Sequence, residues 1–201
     1  PAGPGLKFPH IPTEIDGVHA GKPQRIDAGS YMIASDLPAI ASRTFSFLGF
    51  VWPTLPKRGE QVIAAQWDPA TQAGFQIGIG DEGRLSLTVG DGAGGTETVR
   101  VDHPMLERQW YQIAVTFDPA SGEVTLDQRP LIPFAVIRDH GEYRGRIRLA
   151  VQAPATAFLL AGRPEADGTV GHHFDGKIDG PILLSGIRTH ADHDGLLAGT
   201  A

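Results

Sequence analysis

Residues 110–126 read WYQIAVTFDPASGEVTL, and their pattern is that of a β-hairpin with both strands and the turn visible. Tyr111, Ile113, Val115 and Phe117 alternate with Gln112, Ala114 and Thr116. A side-chain period of two places a continuous apolar row on one face of the strand and leaves the other face to solvent. Asp118-Pro119 then stops the ladder, because Pro119 has no N–H to donate. Ser121-Gly122 supplies a turn with a residue free to take positive φ, and Val124 and Leu126 resume the alternation on the return strand.

The same punctuation recurs on either side of this hairpin. Residues 44–52, TFSFLGFVW, are apolar at both parities, as expected of a strand covered on each face, and Pro53, Pro56 and Gly59 end it. Residues 61–67, QVIAAQW, predict the next strand, which closes at Asp68-Pro69 with the stop already seen at Asp118-Pro119. Phe75, Ile77 and Ile79 alternate, Gly80-Asp81-Glu82-Gly83 turns the chain, and Leu85, Leu87 and Val89 bring it back. The glycine-rich loop over 90–95 is followed by a strand at 96–101 and lacks lysine, so it does not have the helix N-terminus on which phosphate cradles depend.

Further strands are expected over 30–34, 131–137, 145–151 and 157–160, with a loop over 162–171. A long last strand over 174–184 would turn Phe174, Ile178, Ile182 and Leu184 toward the core on one parity. Residues 189–199 predict a short helix with Thr189 as N-cap and Leu196 and Leu197 inward. The expected organisation is a Pro/Gly-rich arm over 1–29, a sandwich of two antiparallel sheets over 30–188, and a short helix and tail over 189–201.

Composition supports an all-β domain. A chain of 201 residues suits one large sandwich, and 26 glycines with 16 prolines exceed what a helical bundle tolerates. There is no cysteine, which excludes disulfides and thiolate chemistry and points to a reducing, cytoplasmic setting. No apolar run approaches the roughly 20 residues of a membrane helix. The chain opens at Pro1, which fits a domain excised from a longer protein. At a net charge of -6, with basic residues scattered, it has no stripe with which to neutralise nucleic-acid phosphates. Arg138, Arg144, Arg146 and Arg148 interleave with Tyr143 and Ile147 and read as a solvated strand face.

The hairpin resembles the central hairpin of laminin-G-like, concanavalin A-like jelly-roll sandwiches, a superfamily of lectins, glucanases and adhesion modules. Other pieces narrow the likeness: Pro1-Ala2-Gly3-Pro4-Gly5, Gly29-Ser30-Tyr31, Phe45-Ser46 through Trp52, Arg58-Gly59-Glu60-Gln61, Ile63-Ala64 with Trp67, Val89-Gly90-Asp91-Gly92, Trp110-Tyr111 and His173-Phe174-Asp175-Gly176-Lys177-Ile178-Asp179. In this order they resemble the lectin-like domain of the large (beta) subunit of bacterial N,N-dimethylformamidases. That resemblance implies a parent amide hydrolase whose iron is held by tyrosine and glutamate side chains in a separate domain related to glutamine amidotransferases. It implies no cofactor and no catalytic residue in this fragment. The expected role is structural, with other domains and subunits of the enzyme as partners.

Several constellations compete with that expectation. Glu14-Ile15-Asp16 resembles the carboxylate motif of jelly-roll glucanases, but Val18 and His19 stand where the third carboxylate should fall. Asp91, Asp175 and Asp179 are candidate calcium ligands, the alternative being a solvated sheet face, since hard cations need six or more oxygens. His190 and Asp194, four apart on the predicted helix, are candidate ligands for a divalent ion. Trp67 and Trp110 are candidates for stacking on a carbohydrate, the alternative being core packing.

Overall fold

The computed structural model describes residues 6–7, 29–35 and 37–197, apart from the side chains of 6, 7, 193, 196 and 197. In chain order the strands are β1 (Leu6–Lys7), β2 (Met32–Ala34), β3 (Phe45–Pro53), β4 (Gln61–Asp68), β5 (Ala73–Ile79), β6 (Leu85–Asp91) and β7 (Thr96–Arg100). They continue as β8 (Tyr111–Phe117), β9 (Glu123–Pro130), β10 (Gly141–Arg146), β11 (Phe158–Leu160), β12 (Arg163–Pro164), β13 (Val170–Gly171) and β14 (Gly176–Ser185), and a helix α1 (His190–Leu197) follows. A seven-stranded sheet runs β1-β2-β11-β4-β5-β6-β7 and a five-stranded sheet runs β10-β9-β8-β3-β14. All strand pairings within both are antiparallel. Among the described residues no helix is long and apolar enough to cross a membrane.

The core lies between the two sheets. Phe45, Phe47, Val51, Tyr111, Ile113, Val115 and Phe117 come from one side and Ile63, Phe75, Ile77, Ile79, Leu85, Leu87 and Val89 from the other. Phe45 and Phe75 meet across the interior with ring centroids 4.6 Å apart, and Phe117 presents an edge to Phe45 at 6.1 Å. Tyr111 is fully buried; its hydroxyl donates to Asp139 Oδ2 (2.8 Å) and accepts from the Leu106 amide (2.8 Å). Burial pushes this phenol far above its ordinary value; the Leu106 amide opposes the shift and the Asp139 carboxylate adds to it.

The central hairpin forms as β8 and β9, but its second face is not wet. Gln112, Ala114 and Thr116 are buried along with the apolar row, because α1 packs over β3 and β8. Thr189 caps this helix as expected: its Oγ1 accepts from the Asp192 amide (3.4 Å), and Asp192 Oδ2 accepts from the Thr189 amide (2.7 Å). The inward placement expected of Leu196 and Leu197 lies outside the described side chains.

Four further expectations are corrected. Residues 131–137 do not form a strand: after Leu131 donates to the Trp110 carbonyl (2.9 Å), Pro133 removes a donor and the segment leaves the sheet as an exposed apolar loop. The strand expected at 145–151 is instead β10, set earlier and paired with β9, while the expected loop over 162–171 closes as the two-stranded ribbon β12-β13. In β14 the core-facing parity changes midway. Ile178 pairs with Val51 and faces the core, but a bulge between Asp179 and Ile182 inserts one extra residue. Gly180 (φ 52°) accepts the left-handed backbone needed there and Pro181 has no amide to offer. Leu183 beyond the bulge packs on the core opposite Phe47, and Ile182 and Leu184 are turned to the outer face.

Candidate functional site

A cavity of about 960 Å³ opens where the start of β14 passes the edge of the seven-stranded sheet. The backbone bends sharply to make it. His172 adopts a left-handed conformation (φ 50°), and its carbonyl accepts from the Val62 amide (2.7 Å) as β13 gives way to β14. The imidazole of His173 is thereby set beside the Tyr31 ring, with centroids 5.9 Å apart, and its Nδ1 lies 3.2 Å from the Ala161 carbonyl.

One wall of this cavity joins a network centred on Arg163, which is largely buried. Its guanidinium donates to Gln76 Oε1 (2.6 Å), Glu60 Oε1 (3.3 Å) and Glu165 Oε1 (3.1 Å), and its Nη2 lies 2.9 Å from His172 Nε2. Gln76 returns a hydrogen bond to Glu60 Oε1 (2.6 Å), and His172 Nδ1 stands 3.3 Å from Glu60 Oε2. These partners come from the approach to β4, β5, the residue after β12 and the β13–β14 turn, and together they fix the rim of the cavity. Arg58, also on the lining, reaches Asp175 at 3.5 Å, and the Asp175 amide donates to Gln61 Oε1 (2.9 Å).

A second polar group lies on the outer face of the five-stranded sheet. Asp127 on β9 and Glu142 on β10 are direct cross-strand partners. His140 Nε2 lies 3.1 Å from Asp127 Oδ1 and 3.3 Å from Glu142 Oε1; Arg129 donates to Asp127 Oδ2 at 3.2 Å. From α1, buried His190 brings Nε2 to 3.3 Å from Asp127 Oδ1. Burial raises the Asp127 carboxyl, but His190, His140 and Arg129 outweigh it and hold the group down at about 2. Nearby, the His103 imidazole and then the Glu142 amide hold Asp102 at about 2 as well.

The candidate residues fall into separate places. Asp175 and Asp179 line the cavity, whereas Asp91 lies at the β6–β7 turn, where its Oδ1 accepts from the Ala93 and Gly95 amides (2.7 and 2.8 Å). His190 and Asp194 do not converge: His190 faces Asp127, and Asp194 Oδ1 accepts from Gln112 (2.7 Å). The two therefore engage different strands, β9 and β8. Trp67 is 6% exposed, packed with Val62 and Ala65 and laid over Gly90, so its faces are covered by protein. Trp110 is half-buried at the start of β8, in the other sheet. Glu14 and Asp16 lie outside the described residues.

Sequence reasoning missed Asp127, His140 and Glu142. The signal available was His140-Gly141-Glu142, whose period of two sends both side chains to one face of an extended segment. The Arg163 network had no such signal, since its members come from distant segments.

Comparison with known proteins gives a consistent picture. Residues 27–132 match the family described as the concanavalin A-like lectin/glucanases superfamily (Laminin_G_3). The chain is 34% identical to the N,N-dimethylformamidase beta subunit of Alcaligenes sp. over 91% of its length and 31% identical to that of Paracoccus aminophilus over 100%. It spans only 26% and 28% of those relatives. Among solved structures, the CBM40 of the Ruminococcus gnavus IT-sialidase, bound to alpha2,3 sialyllactose, shares the fold with a TM-score of 0.64 at 15% identity, covering 88% of this chain and 94% of that one. A heptameric SAP-like pentraxin from Limulus polyphemus does so with a TM-score of 0.53 at 12% identity, covering 93% and 78%. Two facing antiparallel sheets, the matched residues and these relatives make the chain a laminin-G-like member of the concanavalin A-like lectin/glucanases superfamily, related to the beta subunit of N,N-dimethylformamidases.

Proposed function

We propose that this chain is the non-catalytic sandwich of a larger amide hydrolase of the dimethylformamidase type, and that its work is to pack against other domains or subunits of that enzyme. The observation that carries this reading is the loop over 131–137. Leu131, Ile132, Phe134, Val136 and Ile137 are all exposed, Val136 at 94%. Contiguous apolar side chains left in water are characteristic of surfaces that meet another protein. The relatives' greater length and their description as beta subunits supply such partners. On this reading the iron and its tyrosine and glutamate ligands belong to another part of the enzyme.

The test has two arms. The isolated chain should not hydrolyse dimethylformamide. In the longer subunit, Ile132→Asp with Val136→Asp should reduce recovery of assembled enzyme while the sandwich's own unfolding transition stays put. Turnover by the chain alone, or assembly indifferent to both substitutions, would overturn the proposal.

A second reading, carbohydrate binding, is favoured by the cavity beside β14, whose lining includes Tyr31, Arg58, Glu60 and Asp175. The sialyllactose-bound neighbour lends that reading fold-level support. Glycan-array screening without a ligand, together with unchanged stability in added sugars, would remove it.

A further inference from the structure

The polar group on the outer face of the five-stranded sheet plays no part in the assembly reading, yet without a ligand it leaves a buried imidazole incompletely paired. Asp127 and Glu142 stand directly opposite each other across β9 and β10. Like charges at such positions destabilise a sheet unless a cation lies between them. A single imidazole, His140, serves both carboxylates from one nitrogen.

The strongest sign is His190. Its side chain is only 5% exposed, and its Nε2 sits 3.3 Å from Asp127 Oδ1 but off the line of a hydrogen bond; Nδ1 has no partner among the described residues. Buried imidazole nitrogens without partners are unfavourable, and here one of them stands beside an oxygen already shared with His140.

Three separations have the length a metal would set. Ligand atoms bonded to one ion at about 2.0–2.1 Å in a tetrahedron are separated by about 3.3–3.4 Å. The observed separations are 3.1 Å for His140 Nε2 to Asp127 Oδ1, 3.3 Å for His140 Nε2 to Glu142 Oε1 and 3.3 Å for His190 Nε2 to Asp127 Oδ1. The ligand atoms of Asp127, His140 and Glu142 all lie within 4.8 Å of one another, and His190 joins this set through Asp127 Oδ1 alone. Arg129 engages Oδ2 of Asp127 and turns Oδ1 toward the two imidazoles, the arrangement by which outer hydrogen bonds orient a metal-binding carboxylate.

We propose that Asp127, His140, Glu142 and His190 form a site for a first-row divalent cation. Two imidazoles and two carboxylates without thiolate suit Zn²⁺, whereas Ca²⁺ demands more oxygens than this group supplies. Bound there, the ion would tie α1 to the edge of the sheet through β9 and the β10 entry.

The experiment is a Zn²⁺ titration of the chain against a chromophoric chelator, paired with visible spectra of the Co²⁺ form. One ion per chain should bind, and Co²⁺ should give the intense visible bands of tetrahedral coordination. Glu142→Gln and His140→Gln lie at half-exposed positions and leave the core untouched; each should weaken Zn²⁺ at least tenfold and abolish the Co²⁺ bands. His190→Gln should do the same, and His172→Ala, at the cavity rim, should change nothing. The chain holds 8 histidines, so surface binding must be separated from this site. Binding that is not one-to-one, or that survives both Glu142→Gln and His140→Gln, would overturn the proposal.

Discussion

The group around Arg163 and the group around Asp127 are built from the same side chains, yet one closes on itself and the other does not. At the cavity rim, Arg163 is engaged by Gln76, Glu60, Glu165 and His172, and Gln76 completes the circuit by donating to Glu60. On the outer sheet face, Asp127 is contacted by His140, His190 and Arg129, while the buried His190 has a nitrogen with no partner among the described residues. A closed network is what folding alone selects, because an unmatched polar group costs more than a hydrogen bond returns. The open one retains a cost that makes sense if something else is bound.

The largest effect that would break this contrast is at Arg163. Replacing Arg163 with Leu removes the cation that separates Glu60 and Glu165 and leaves Gln76 Oε1 without its donor. Those carboxylates are roughly a third exposed, so solvent softens the penalty. A loss of about 2–3 kcal/mol in urea unfolding is expected. A loss below about 0.5 kcal/mol, the ordinary range for a surface substitution, would show the rim network to be ornamental and the contrast empty.

At His190 the same substitution should do far less. In metal-free buffer His190→Leu replaces an incompletely paired buried ring with an apolar side chain, and Asp127 keeps His140 and Arg129. Stability should change by less than about 1 kcal/mol in either direction, since apolar replacement of a poorly satisfied group is close to neutral. Added Zn²⁺ sharpens the comparison. At a hundred times its dissociation constant the ion should stabilise the unmutated chain by about 2.7 kcal/mol and His190→Leu by much less. Equal gains in both would show that the ion binds elsewhere.

The sheets were legible in sequence because their physics is local. The row from Tyr111 to Phe117, the doubly apolar β3, the Asp-Pro stops and the Thr189 cap each depend on residues within one turn or one strand. What escaped depends on distant partners or on an added residue. The bulge at Gly180-Pro181 reverses the parity of β14, and period-two reading has no means of counting the insertion. Residues 131–137 carry strand-like apolar content that only the sheet's geometry shows to be left outside. The wet face expected of β8 was covered by a helix from the far end of the chain. His190 could be placed on a helix from its neighbours, but nothing near it in sequence names Asp127.

The smallest effect extends the comparison to single carboxylates that close on their own turns. Asp68 and Asp118 head the two Asp-Pro-Ala turns. Asp68 accepts from the Ala70 amide (2.9 Å) and Thr71 Oγ1 (2.9 Å). Asp118 accepts from Ser121 Oγ (2.7 Å) and the Ala120 amide (3.2 Å), and also from Thr44 Oγ1 (2.9 Å) at the entry to β3. The hydrogen bonds of Ser121 and then Thr44 hold the Asp118 carboxyl below its usual value of 3.8, and those of Ala70 and then Thr71 do the same for Asp68. A carboxyl lowered by folding contributes stability that is complete above 3.8 and fades as pH falls through the folded-state value. Asn at either position can still accept from the turn but no longer titrates, so Asp118→Asn and Asp68→Asn should each flatten the acid limb of melting temperature against pH. Asp118→Asn should flatten it more, because only Asp118 also ties its hairpin to a neighbouring strand. Acid limbs that stay parallel to that of the unmutated chain would mean that these self-closed carboxylates contribute shape and no charge, and the distinction between closed and open groups would then stop at the two large clusters.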